Sequence, residues 1–154
     1  MNLLLWRHAD AEDSSPDLTR NLTKKGRDQA KKVAAWMRRE MPAHARVLVS
    51  PATRALQTAQ ALGIPFVTDD ALAPGATVED ILAALDLPIV ERDAKRTWVV
   101  VGHQPWLGQL AAFLLSDSPA SYSVRKAALW WLVQRERADL VQWTLRCVVD
   151  PDLL

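Results

Sequence analysis

Two histidines and two arginines of this chain stand at or just beyond the ends of apolar runs. Arg7 and His8 close MNLLLW, Arg54 sits in SPATRALQTA shortly after the run Arg46 to Val49, and VVVGHQP carries His103 and Pro105. A phosphoryl group bears up to two negative charges, so its transfer calls for several fixed cations and a nucleophile. Neutral imidazole already has an unprotonated nitrogen near pH 7, whereas a serine hydroxyl needs a separate base. His8 is therefore the candidate nucleophile, forming a phosphohistidine that water hydrolyses in a second in-line step. Arg7 and Arg54 would clamp the equatorial oxygens through their planar donor forks, and a protonated His103 would add a third cation. One such donor is worth roughly 3 to 4 kcal/mol in a transition state. Taken singly, each residue fits a solvated strand end or a turn as well. Three separate segments that each end a strand on a phosphate-compatible cation favour the chemical reading.

The remaining composition narrows the class. With 154 residues, 49% hydrophobic and 24% charged, the chain fits a single domain over residues 1–154 that needs no disulfide or metal to be stable. The net charge of +1 gives no reason to expect nucleic acid or an anionic membrane as partner. Cys147 has no mate, sits in an apolar segment and is expected to be buried and inert. The N-terminus lacks a signal-peptide pattern and no apolar run has spanning length, so a cytoplasmic location is expected. Three histidines and one cysteine make no ligand cluster, and no GxxxxGK[ST] loop is present, so neither a metal nor another cofactor is expected.

The elements that must position the four residues can be read along the chain. Residues 2–7 form a short buried strand that empties into a polar loop from Ala9 to about Leu18. Ala30, Val33, Ala34, Met37 and Met41 recur at helical spacing between Thr23 and Met41, opposite a basic face. Arg46 to Val49 reads as a second strand, and Ser50-Pro51 as the cap and first turn of a helix reaching Leu62. A brief extended piece, Phe66 to Thr68, precedes a helix from Thr77, with Asp80 as capping-box partner, to Leu85. Thr97 to Val101 is the clearest strand, closed by Gly102, and Pro105 can open a helix to about Leu115. Two β-rich runs, Ala127 to Val133 and Leu140 to Val149, flank QRERAD as a hairpin. Strands alternating with helices imply an α/β three-layer αβα sandwich, its central sheet mostly parallel with an antiparallel C-terminal hairpin. Ligands bind such sheets beyond the carboxyl ends of the strands, where Arg7, His8, Arg54 and His103 all fall.

RHADA at the N-terminus, RNLTKKG (Arg20 to Gly26), LVSPATRALQTA (Leu48 to Ala59) and VVVGHQP resemble the histidine phosphatase superfamily and, more narrowly, its small SixA-type phosphohistidine phosphatases. The resemblance covers Leu3 to about Leu115 with four separated motifs in order, and it implies a phosphoglycerate mutase-like fold. It makes His8 the phospho-accepting nucleophile, Arg7 and Arg54 phosphate binders and His103 the completion of the pocket, with Ser50 and Pro51 shaping the loop that carries Arg54. Arg20, Ser50 and Trp106 are candidates for the pocket rim; surface or core roles stay open for them. The chain departs from the family pattern twice. The usual RHG reads RHA at Ala9, and ALAPGA (Ala71 to Ala76) holds no carboxylate where larger members place a glutamate acid.

A phosphorylated imidazole can leave as neutral imidazole without an enzyme acid, so the second departure favours phosphohistidine as substrate. Asp10, two residues after His8, is a candidate acid or an orienter of a cation, and a loop-capping role is as good a reading. The chain has little sequence to spare for a roof over the pocket, which points to a protein substrate such as a histidine-containing phosphotransfer domain, with phosphate or another small anion as pocket ligand. A small phosphomonoester substrate and a non-catalytic phospho-ligand binding module are the alternatives.

Overall fold

Leu4 and Trp6 face one side of the first strand, Leu3 and Leu5 the other, and all four are fully buried. A strand covered on both faces reads as an unbroken apolar run. The computed structural model, which describes residues 1–86, 96–137 and 140–154, places this strand, β1 (Asn2–Arg7), inside a six-stranded sheet. Along the chain follow α1 (Lys24–Glu40), β2 (Arg46–Val49), α2 (Thr53–Gln60), β3 (Val67–Thr68), α3 (Val78–Ala84), β4 (Thr97–Gly102), α4 (Trp106–Ser116), β5 (Leu129–Arg137) and β6 (Leu140–Val149). The strand order is β3-β2-β4-β1-β5-β6. The pairs β1/β4, β2/β4 and β2/β3 are parallel, while β1/β5 and β5/β6 are antiparallel.

Two cores follow from the alternation. Ala30, Val33, Ala34 and Met37 of α1 and Ala55 and Ala59 of α2 pack with Leu4, Trp6, Val47, Val49, Val99 and Val101 on one face. Ile81 of α3 and Leu107, Leu110 and Ala111 of α4 pack with Leu3, Leu5, Leu48, Trp98 and Val100 on the other. The expected αβα sandwich with a mostly parallel sheet is therefore present. Thr23 caps α1 by accepting from Gly26 N, and Thr77 and Asp80 form the anticipated capping box of α3.

Several local expectations change. Helix α2 begins at Thr53 with Ala52 at its N-cap, so Ser50-Pro51 lies in the turn before it. Ala127 stands at φ 58 and Ala128 N donates to Arg125 O, a turn that delays β5 to Leu129. The strand then runs through Gln134–Arg137, most of the segment expected to separate the hairpin strands; residues 138–139 lie outside those described. Cys147 is half-buried rather than buried, and burial raises its thiol pKa. Of the adjacent tryptophans, Trp131 is buried and donates to Asn2 Oδ1 at 3.0 Å, while Trp130 is half-buried with its ring 5.4 Å from that of Tyr122. His44 is exposed. Among the described residues no helix is long and apolar enough to cross a membrane.

Candidate active site

Parallel pairing puts the ends of three strands side by side. Arg7 of β1 is in register with Gly102 of β4, and Val49 of β2 with Val101. The ladder continues one residue past the strands, with His8 N donating to Gly102 O and Ser50 N to Val101 O, both at 3.0 Å. His8, Ser50 and His103 thus leave the sheet at one level, and Arg54 follows on the first turn of α2.

The four predicted side chains come together. The rings of His8 and His103 are 5.1 Å apart. Arg54 is 4% exposed and donates through Nε to His8 Nε2 at 3.3 Å. Arg7 is half-buried, donates to Val124 O at 2.7 Å and has a buried Nε without a protein partner; its charge acts on both imidazoles.

The hydrogen bonds fix the chemistry of each ring. His8 Nδ1 lies 2.8 Å from Ala9 O, and a carbonyl can only accept. Nδ1 therefore carries the hydrogen and Nε2 presents its lone pair. Burial, with help from Arg54 and Arg7, lowers the His8 pKa to about 4 despite the Ala9 bond that opposes it. His103 Nε2 lies 2.7 Å from Ser50 Oγ, which also accepts from Ala52 N at 3.3 Å, and His103 Nδ1 is buried without a protein partner. Burial, then His8 and Arg54, push His103 down to about 3. These surroundings favour an uncharged His103 near neutral pH, where the sequence expects a third cation.

Ala9 costs nothing here. Positive φ at described non-glycine residues is confined to His44, Asp86, Asp117 and Ala127. Ala9 is fully buried, and its N–H donates to Thr58 Oγ1 at 3.0 Å while Thr58 donates to Arg54 O at 2.7 Å. One buried threonine thereby ties the histidine loop to the arginine helix.

The secondary candidates separate. Asp10 accepts from Lys126 at 2.6 Å and from Thr23 Oγ1 at 2.8 Å, and those bonds hold its carboxyl below the usual range. Its carboxylate clamps the loop to the start of α1 and remains ionised, so the acid role is not supported. Ser50 and Trp106 are fully buried and lie beneath His103, not on a rim; the Trp106 ring is 6.4 Å from the His103 ring and fills the space a Cβ on Gly102 would need. Arg20 reaches the outer side of the site through Asp17 Oδ1 at 3.1 Å. Glu79 and Asp80 lie in the first turn of α3. A cavity of about 670 Å³ between α3 and α4 borders the histidine loop only at Pro105. Among the described residues no group of three or more His, Cys, Asp or Glu could hold a metal ion.

Asp17 went unmarked in the sequence. Its backbone oxygen accepts from Arg54 NH1 at 2.7 Å and its Oδ2 from NH2 at 3.0 Å, so the loop residue engages both ends of the Arg54 fork. An aspartate three residues before an arginine was the only signal, and polar loops contain many such pairs.

Comparison with known proteins agrees with this geometry. Residues 3–74 match the model of the histidine phosphatase superfamily (branch 1). The phosphohistidine phosphatase SixA of Escherichia coli (strain K12) is 31% identical over 134 residues, covering 83% of each chain. An uncharacterized protein of Mycobacterium tuberculosis (strain CDC 1551 / Oshkosh) is 34% identical over 125 residues, 77% of this chain and 75% of that one. The structure of the protein histidine phosphatase SixA complexed with tungstate superposes with a TM-score of 0.84 at 26% identity, covering 99% of both chains.

Proposed function

Because this chain belongs to the histidine phosphatase superfamily, and is accordingly a phosphatase, we propose that it hydrolyses phosphohistidine on another protein through a phosphorylated His8. In this proposal residues 1–154 act as one histidine phosphatase domain. The observation that carries it is the bond from His8 Nδ1 to Ala9 O, which leaves the Nε2 lone pair facing Arg54 at 3.3 Å.

The phosphoryl group binds among Arg7, Arg54 and His103. Arg54 Nε turns from His8 Nε2 to an equatorial oxygen, and the freed lone pair attacks phosphorus opposite the leaving group. His103 donates from Nδ1 if Ser50 donates to Nε2. Ser50 Oγ already accepts from Ala52 N, which leaves its hydrogen for that purpose. The neutral imidazole can then bind an anion without charge. Substrate imidazole departs with the P–N electron pair and keeps the proton on its other nitrogen. Water next attacks phospho-His8, whose Nδ1–H is already in place for departure as neutral imidazole.

Phosphohistidine is supported by the SixA relatives and by the absence of a carboxylate in Ala71–Ala76. Tungstate, bound by the SixA structure, is a tetrahedral dianion of the kind such a pocket accepts. The proposed partner is a phosphohistidine-bearing domain, the small anion is phosphate, and the enzyme works in the cytoplasm.

Incubation with a phosphohistidine-bearing phosphotransfer domain, followed by rapid quenching, should trap acid-labile phosphate on His8 and release inorganic phosphate. His8→Ala should do neither. Phosphate release by His8→Ala at the unaltered rate, or binding with neither labelling nor turnover in the unaltered chain, would overturn the proposal.

A further inference from the structure

Asp17 stands at the exposed outer end of the Arg54 side chain. Its side chain is 55% exposed, whereas the Arg54 side chain it pairs with is 5% exposed and His8 8%. One guanidinium separates the carboxylate from the nucleophile, with Arg54 Nε on His8 Nε2 and NH2 on Asp17 Oδ2. In-line displacement sends the leaving group away from His8, and the pocket floor formed by His103, Ser50 and Trp106 is buried. The exit is the exposed side.

The carboxylate has the capacity to act there. Oδ1 accepts from Arg20 and Oδ2 from Arg54, and each oxygen has a second acceptor site. Arg54 and Arg20 keep it ionised, so it can accept a proton's hydrogen bond but cannot supply a proton.

We propose that Asp17 accepts a hydrogen bond from the second ring nitrogen of the substrate's phosphorylated imidazole and thereby selects nitrogen-linked over oxygen-linked phosphoryl groups. This rests on the phosphohistidine reading above. Solvent protonates that ring nitrogen, and Asp17 stabilises the resulting cation. The His8 Nε2–P bond forms, the ring N–P bond breaks, and its electron pair neutralises the ring, which leaves with the proton still on the nitrogen held by Asp17. An oxygen leaving group offers no N–H and develops negative charge beside a carboxylate. Attraction for one substrate and repulsion for the other both act in the same direction.

Asp17→Asn tests this against a phosphohistidine peptide and p-nitrophenyl phosphate, with Asp17→Glu as the conservative variant. Loss of a charged hydrogen-bond acceptor should lower kcat/KM for phosphohistidine roughly 10- to 100-fold. Both activities will drop where Arg54 is loosened, so the decisive reading is their ratio, expected to fall at least about tenfold and to recover partly in Asp17→Glu. The alkaline limb of the phosphohistidine profile should also move to lower pH, because the ring loses the carboxylate that favours its protonated form. Equal losses on the two substrates with an unmoved alkaline limb would make Asp17 a support for Arg54 alone and sink the inference while leaving the phosphohistidine reading intact. No phosphohistidine turnover in the unaltered chain would sink both.

Discussion

Replacing Ser50 by alanine removes a single oxygen that touches no substrate, yet it should cost much of the turnover. Ser50 is fully buried and its Oγ lies 2.7 Å from His103 Nε2. The other nitrogen, Nδ1, is buried with no protein partner. In the proposed mechanism an anion bound at Nδ1 needs a hydrogen there, so Nε2 must be the acceptor and Ser50 the donor. Without the hydroxyl nothing favours that tautomer, and the Nε2 acceptor is left buried and unsatisfied. Such a loss is worth about 1 to 3 kcal/mol, and each 1.4 kcal/mol is about tenfold in rate, so kcat should fall roughly 10- to 100-fold. KM should move less if the missing donor matters most when charge builds on the phosphoryl oxygens. Nitrogen-15 spectra of the His103 ring give an independent reading. They should show the Nδ1–H form in the unaltered protein near neutral pH and a changed tautomer balance in Ser50→Ala. An unaltered protein that carries its hydrogen on Nε2, or a variant whose kcat stays within twofold, would refute the reasoning.

Acid should weaken the fold through the same two rings. His8 and His103 titrate near 4 and 3 when folded against 6.5 ordinarily, so between those values the unfolded chain binds more protons. Their contribution is full above pH 6.5 and lost as pH falls toward 4 and then 3, on the order of 3 kcal/mol for His8 alone. Urea melts at pH 7 and pH 4.5 should differ accordingly, less so in His8→Ala; a pH-independent midpoint would contradict the buried neutral state. Gly102→Ala forces a methyl group into the Trp106 ring beneath His103 and should destabilise by about 1 to 3 kcal/mol. An unchanged Tm would mean that the ring moves aside freely.

How much of this was written plainly in the sequence depended on the range of the interaction. β1 and β4 were legible because both faces of each are covered, which leaves an unbroken apolar run in the sequence, and Thr77 with Asp80 marked a helix start because the bonds span three residues. His8, Arg54 and His103 were legible because each follows a strand closely and parallel strands end together. The clamp of Asp17 on Arg54 joins residues 37 apart, and locally only an arginine three residues on sets that aspartate apart. The neutral state of His103 was equally hidden, since it depends on burial and on positive neighbours contributed by other segments. Ser50 misled for a related reason: its sequence neighbourhood suits a helix cap, but its hydroxyl is engaged by a histidine 53 residues away.

The order of strands also governs when this protein can begin to work. β1 and β2 never touch; β4 lies between them and pairs with both. A nascent chain that has emerged only as far as Ala84 already contains Arg7, His8 and Arg54, yet it has no central strand to bring the two ends alongside. The nucleophile is synthesised before the last parallel strand and waits for it, so no nascent chain that stops short of β4 can assemble the pocket.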